Sequence, residues 1–392
     1  MNAFSGRAAI AGIGATRFSK DSGVSELHLA VEAVAGAIED AGLTPKDVDG
    51  LVTFDIDTNP HTEVANNLGI ERLSFLGATM YGGGGGCATV QLAAMAVATG
   101  VCQAVVCYRA LNERSGQRFG TGLGPAPSPN PGAREVSWGW TAPHGIMTPA
   151  ATVAMVARRY MHEYGATSED FGRISVLARA HAATNPKAWF YGRPITLADH
   201  QASRMIADPV RLLDCCQESD GGVAILVTSL ERARDLKQKP VVLLAAAQGS
   251  AQEQQMMTSY YRECITSQPE VRFVAEQLWR QSGLTPKDID ALVMYDHFTP
   301  YVMMQIEDYG FCKAGEGPGL VASGALGLDG KWPLNPHGGQ LGEAYMHGFN
   351  GIAEGVRQVR GAAVNQIKDA KHVLVTSGNG IPTSALVLGQ VN

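Results

Sequence analysis

The run Gly82-Gly83-Gly84-Gly85-Gly86-Cys87 opens a long apolar helical pattern at about 84–99. Backbone N–H groups at such a helix start can hold an anion or a carbonyl oxygen. A phosphate loop would continue Gly-Lys-Ser/Thr, and nothing of that kind follows. Cys87 lies a turn inside the pattern, where a free thiol reads as a small buried side chain. Further along, Tyr295-Asp296-His297-Phe298 completes and follows the apolar run "ALVMY" (291–295). Tyr295 thus stands just past the carboxyl end of an expected strand, where open α/β sheets place ligand crevices. Tyr345 falls near the start of another helical pattern, at about 339–360. A phenol, with an ordinary pKa of about 10, is closer to an alcohol than a carboxylate is, which suits it to exchanging a proton with a hydroxyl. Both rings could equally be core aromatics with satisfied hydroxyls. No lysine lies in these segments, against Schiff-base chemistry, and no HExxH or comparable spacing indicates a metal.

The elements that must position these residues are written twice. "GLTPKDVD" (42–49) and "GLTPKDID" (283–290) each sit between a helical pattern and an apolar run. Gly42 and Gly283 read as left-handed helix stops, and Thr44 and Thr285, each with Asp three residues on, as caps of a single turn. "GLVTF" (50–54) and "ALVMY" then read as buried parallel strands. "RAAIAGIG" (7–14) and "PVVLLAAAQGS" (240–250) are candidate first strands. "CQAVVCYRA" (102–110) and "KHVLVTSGNG" (371–380) are later ones, and "DGGVAILVTS" (220–229) and "SALVLG" (384–389) close each half. The chain reads as two β-α-β-α-β halves with parallel sheets covered by helices, 1–239 and 240–392. Residues 111–219 fall outside the duplication. They carry the Gly/Pro-rich loop 118–135 and helices at 149–165 and 168–183, and read as an inserted cover.

Composition narrows the partners. A 392-residue chain with net charge −6 is a poor candidate for nucleic-acid binding. The seven cysteines are odd in number and show neither CxxC nor Cys/His spacing, as expected of reduced cytoplasmic thiols without structural zinc. "MNAFSGRAAIAGIG" runs straight into strand-like sequence without a signal-peptide pattern, and no stretch is long and apolar enough to span a bilayer.

"AGIGATRFSK", "AVEAVAGAIEDAGLTPKDVDGLV", "YMHEYGATSEDF", "HAATNP", "ADPVRLLDCCQESDGG", "NPHGG" and "VRQVRGA" together resemble the thiolase superfamily, nearest the sterol-carrier-protein-x and lipid-transfer-protein-like branch. The resemblance runs in order along essentially the whole chain. It implies a five-layer αβαβα sandwich, a homodimer and an acyl-CoA substrate, with no further cofactor and no metal.

The resemblance also shows where the chemistry departs. The family's nucleophilic cysteine falls near Gly83. Tyr295 and Tyr345 stand at its two histidine positions, and "SGNG" (377–380) replaces its second cysteine motif, leaving Ser377 or a glycine such as Gly378 there. Ordinary thiolysis is not expected. The branch with these features is the thiolase-like retro-aldolases of steroid side-chain degradation. They cleave β-hydroxyacyl-CoA thioesters to a ketone and a shorter acyl-CoA such as propionyl-CoA or acetyl-CoA, alongside a small OB-fold, zinc-ribbon partner.

That reaction moves protons and no acyl group, so it needs no covalent cysteine. One tyrosine would deprotonate the substrate hydroxyl while the other protonates or supports the enolate, with Tyr345 the favoured base. Asn335 and His337 would orient substrate or water, with Asp296 behind them. Gly83, Gly84, His297 and Gly378 would bind substrate. His337 and His347 could as easily be packing residues, and Arg158, Arg159 and Arg204 could be solvated rather than held by CoA phosphates. A thiolase or acyltransferase with a non-standard nucleophile, and a non-catalytic acyl-CoA or sterol binder, remain the alternatives.

Overall fold

The computed structural model of the chain describes residues 5–80, 82–121, 136 and 139–391. The strands are β1 (Ala8–Ala15), β2 (Gly50–Phe54), β3 (Phe75–Thr79), β4 (Ala104–Asn112), β5 (Met205–Ala207), β6 (Val210–Arg211), β7 (Asp220–Ser229), β8 (Val241–Gly249), β9 (Ala291–Val293), β10 (His372–Ser377) and β11 (Thr383–Gly389). The principal helices are α1 (Glu26–Ala41), α2 (His61–Leu68), α3 (Gly86–Ala98), α4 (Pro149–Tyr164), α5 (Ser168–Ala183), α6 (Pro269–Ser282), α7 (Thr299–Asp308) and α8 (Phe349–Arg360).

The two octets do the same local work. Gly42 and Gly283 end α1 and α6 at φ 75° and 72°. Asp47 Oδ2 then accepts from Thr44 N at 2.9 Å, and Asp288 Oδ2 from Thr285 N at 2.8 Å, each closing one helical turn before a buried strand.

Nine strands join in the order β3-β2-β4-β7-β1-β8-β11-β10-β9. Reading outward from the β1–β8 junction, β1, β7, β4 and β2 are matched by β8, β11, β10 and β9. The duplication is therefore visible in the topology, but the expectation of parallel sheets is corrected. Only β2 with β3, β2 with β4, and β9 with β10 pair in parallel. β7 and β11 run antiparallel to both neighbours. The short link 378–382 between β10 and β11 is long enough to reverse the chain and too short for a crossover.

Strand alternation divides the interior into three apolar layers. Val105 and Cys107 of β4 and Leu386 and Leu388 of β11 face a central layer with α3 and α8. Val106 and Tyr108 turn the other way, toward α1 and α2. Ala385 and Val387 turn toward α4, α5, α6 and α7. Helix, half-sheet, paired helices, half-sheet, helix gives the five layers.

The single helix expected over about 339–360 is interrupted. A turn at Gly339–Gly342 is separated from α8 by a link in which His347 and Gly348 take φ of 49° and 84°. Tyr345 lies on that link. Of the Gly/Pro-rich loop expected at 118–135, residues 122–135 lie outside the described residues. α4, α5 and the β5–β6 ribbon make up the cover region.

Candidate active site

A cavity of about 430 Å³ opens where the glycine run, the residues after β9, the 345–348 link and the cover region meet. Its size suits a small-molecule site, for which roughly 300–1,000 Å³ is usual. Ile56, Phe119, Ile206, Leu212, Met257 and Phe298 supply apolar wall.

Tyr295 is the centre of this arrangement. Its N–H donates to Thr376 Oγ1 at 3.0 Å and its carbonyl accepts from Gln305 Nε2 at 2.9 Å. Thr376 Oγ1 in turn donates to Gln305 Oε1 at 2.7 Å, closing a loop of bonds that fixes the backbone. The ring lies among three glycines. A Cβ on Gly378 would stand 2.8 Å from Tyr295 Cδ1, and one on Gly348 3.0 Å from Cδ2. A Cβ on Gly83 would stand 1.7 Å from the Tyr295 hydroxyl. The phenol thus fills the space a side chain at position 83 would need. Tyr345 N–H donates to Ser219 Oγ at 3.2 Å. The two phenols meet across the cavity, their Oη atoms hydrogen-bonded at 3.2 Å. Burial pushes both hydroxyls well above the usual phenol range. At neutral pH the resting pair is therefore two neutral phenols.

Gly83, Gly84, His297 and Gly378 line the same cavity. His297 stacks on Tyr301 at 5.1 Å, and burial lowers its pKa to about 3, so its ring is neutral. Asn335 and His337, expected to orient substrate or water, do not line it, and Asp296 lies behind it as expected. Asp296 accepts from Gln340 N at 2.7 Å and caps the turn behind the site. Asn335 exchanges two hydrogen bonds with the backbone of Met294, at 2.8 and 3.0 Å, and so prolongs the edge of β9 toward Tyr295. His337 is buried behind the 339–342 turn, with Nε2 3.8 Å from Glu343 Oε2. All three shape the segments that carry the tyrosines.

No thiol here is poised to attack. Cys87 is fully buried, and burial pushes it up to about 12. Ser377 Oγ accepts from Cys87 N at 2.8 Å and Ser384 Oγ from Ala88 N at 3.0 Å, so these two hydroxyls cap α3. Cys216 lines the cavity, but burial, with Glu113 adding to it, raises that thiol well above its ordinary value. Among the described residues no His/Cys/Asp/Glu cluster could hold a metal ion.

Sequence reasoning passed over Glu113, Glu218 and Arg118, and it assigned no role to His347 or Arg204. Glu113 and Glu218 face the cavity, and Arg118 Nε donates to Glu218 Oε2 at 2.7 Å. His347 lines it beside Tyr345, their ring centroids 5.0 Å apart. Arg204 also lies at its wall and is exposed. Arg158 and Arg159 are instead paired with Asp208 and Glu163. These residues carry no motif, and only the cover folding back over the glycine run brings them to the site.

The fold and the site define a thiolase-type enzyme without the thiol. The family described as "Thiolase C-terminal domain-like" matches residues 249–389. A steroid side-chain-cleaving aldolase of Thermomonospora curvata is 61% identical over 99% of both chains. A 17-hydroxy-3-oxo-4-pregnene-20-carboxyl-CoA lyase of Mycobacterium tuberculosis is 60% identical over 98% of this chain and 100% of its own. A solved structure described as "Ltp2-ChsH2(DUF35) aldolase" superposes with a TM-score of 0.95 at 59% identity, covering 99% of each chain. The chain belongs to the thiolase superfamily, within its steroid side-chain-cleaving aldolases, and is a carbon–carbon lyase.

Proposed function

We propose that this enzyme cleaves a steroid side-chain β-hydroxyacyl-CoA by retro-aldol, and that the two phenols relay the proton. The observation that carries this reading is the hydrogen bond between Tyr295 and Tyr345 in a cavity without a reactive thiol. The substrate hydroxyl gives its proton to Tyr295 Oη, and the C–O bond becomes a carbonyl. The Cα–Cβ bond breaks and its electron pair passes to Cα and the thioester. Tyr295 passes its own proton to Tyr345, and Tyr345 delivers one to Cα. One proton leaves oxygen, one reaches carbon, and both phenols end neutral. The same 3.2 Å contact carries the relay in the opposite sense as well, with Tyr345 as base, the order favoured from sequence. Neutral phenols suit this route, because no step needs a stored phenolate.

The apolar wall fits fused rings, and the substrate named for the Mycobacterium tuberculosis relative is the first to try. Arg204, exposed at the cavity wall and in no ion pair among the described residues, is the arginine proposed to meet a CoA phosphate. No cofactor beyond the substrate's own CoA enters the reaction. The test is mass spectrometry of products from 17-hydroxy steroid carboxyl-CoA thioesters. A ketosteroid and a shorter acyl-CoA are expected, and no acyl-enzyme. Tyr295→Phe and Tyr345→Phe should each lose about 10²- to 10⁴-fold in kcat. Near-normal cleavage by both variants rules the relay out.

Two assembly proposals accompany this reading. A small partner of DUF35 type is supported by the complex described for the similar structure, and the family resemblance implies that it carries an OB-fold and a zinc ribbon. Undiminished activity of the chain alone, with no such protein co-purifying, removes it. A homodimer through the β3 edge is supported by Leu76 and Met80, 53% and 60% exposed on or beside that strand. Leu76→Lys should halve the mass seen by light scattering. A cytoplasmic setting accords with seven cysteines that are all free.

A further inference from the structure

The link before α8 holds His347 at φ 49°, a left-handed backbone that non-glycine residues seldom adopt without a local reason. Its ring contacts Phe54, Phe119 and Tyr345, with centroids at 5.6, 5.4 and 5.0 Å. Arg109 of β4 lies behind it. Arg109 Nη1 donates to Asp57 Oδ2 at 2.7 Å and to Ala110 O at 2.7 Å, while Arg109 Nε donates to His347 Nδ1 at 3.1 Å. A guanidinium in a protein has donors only and keeps its charge. His347 Nδ1 must therefore offer a lone pair, and a neutral imidazole then carries its proton on Nε2. Burial first, and the adjacent Arg109 charge second, keep the ring neutral. Among the described residues nothing accepts from Nε2, and His347 is part of the cavity wall.

We infer that His347 is a further catalytic residue, an N–H donor that Asp57 and Arg109 lock in one tautomer and that binds the thioester carbonyl oxygen of the substrate. This rests on the retro-aldol reading for the moment at which it matters most. As the Cα–Cβ bond breaks, negative charge collects on the thioester oxygen, and a fixed donor in a mainly apolar cavity stabilises that charge without reorganising. A neutral imidazole is suited to the task, because it can donate without giving its proton away. Arg109 is a positioning residue and acts only through the ring. The tyrosines manage the proton and His347 manages the charge, so three groups on one cavity wall divide the reaction between them.

The donor can be read without turnover. An acyl-CoA lacking the β-hydroxyl, carrying ¹³C at the thioester carbonyl, is bound to the holoenzyme with its partner and examined by isotope-edited infrared spectroscopy. The carbonyl band should move to lower frequency in the wild type and relax toward its solution position in His347→Phe. In cleavage assays the same variant should lose about 10²- to 10³-fold in kcat with KM little changed. His347→Gln, whose amide N–H can donate, should recover part of both signals. Neutron diffraction of the wild type gives a measurement independent of any variant's folding, and deuterium is expected on Nε2. Deuterium on Nδ1, or an unshifted band with near-normal kcat in His347→Phe, overturns the inference. Should no β-hydroxyacyl-CoA be cleaved while the band still depends on His347, the retro-aldol reading fails and the donor stands.

Discussion

Glu113 shows how the site loads individual residues. Its carboxylate is buried in the cavity wall, and Oε2 has no partner among the described residues. Burial, then the neighbouring Glu218, pushes its pKa from 4.5 to about 8. The folded chain therefore keeps a proton that the unfolded chain gives up. That stabilisation is complete below about 4.5 and fades as pH rises through about 8. Lys20 nearby is lowered from 10.5 to about 8 by burial, so its own effect falls above that window. Melting temperatures at pH 5 and pH 8 should thus drop more for the wild type than for Glu113→Gln, and equal drops would contradict the assignment. Cys87 makes the opposite case, a residue that looks chemical and is structural. Cys87→Ala should cleave substrate almost as the wild type does, and the native thiol should resist alkylation at neutral pH, checked by peptide mass mapping. Marked loss of activity would return a thiol to the mechanism.

At the scale of elements, the start of α3 and the strand end carrying Tyr295 compete for one volume. Gly83→Ala would put a methyl 1.7 Å from the Tyr295 hydroxyl, so the ring must move. A displacement of about 1 Å at a reacting group can cost roughly 10²-fold. The expected result is loss of kcat by that order with α3 intact by circular dichroism; wild-type kcat would mean the ring is not confined. Much of this scale was legible in the sequence. β2 and β7 fall where their apolar runs do, and both octets form the stops and caps their glycines and threonines indicate. The short elements were not. β3 (FLGAT) is half exposed and weakly patterned, and the helical period over 339–360 hid the left-handed pair that breaks it. Strand direction was missed because a buried run reads alike whichever way its neighbours point. At the site, Tyr295 and Tyr345 were legible because they occupy motif positions. His347 was not, since its tautomer depends on Arg109 in the other half of the chain. Asn335 and His337 were placed one layer too far forward, because buried polar residues beside a motif serve its backbone as readily as its substrate.

The molecule as a whole is tied together through its middle layer. β1 and β8 meet at only two residue pairs, Ala9 with Val242 and Ile10 with Val241. The larger connection is the central core, where α3 and α8 pack against strands of both halves. Phe349 is fully buried there, its ring 5.7 Å from that of Phe54. Phe349→Ala should cost about 3–5 kcal/mol in urea unfolding. Fluorescence and circular dichroism should still report one shared transition, and two separated transitions would mean that each half stands alone. The glycine at position 83 also has a bearing on anyone rebuilding cysteine catalysis in this scaffold. A sulfur atom introduced there collides with the phenol already occupying its place. The two substitutions are consequently coupled: a side chain at position 83 finds room only once position 295 has been emptied.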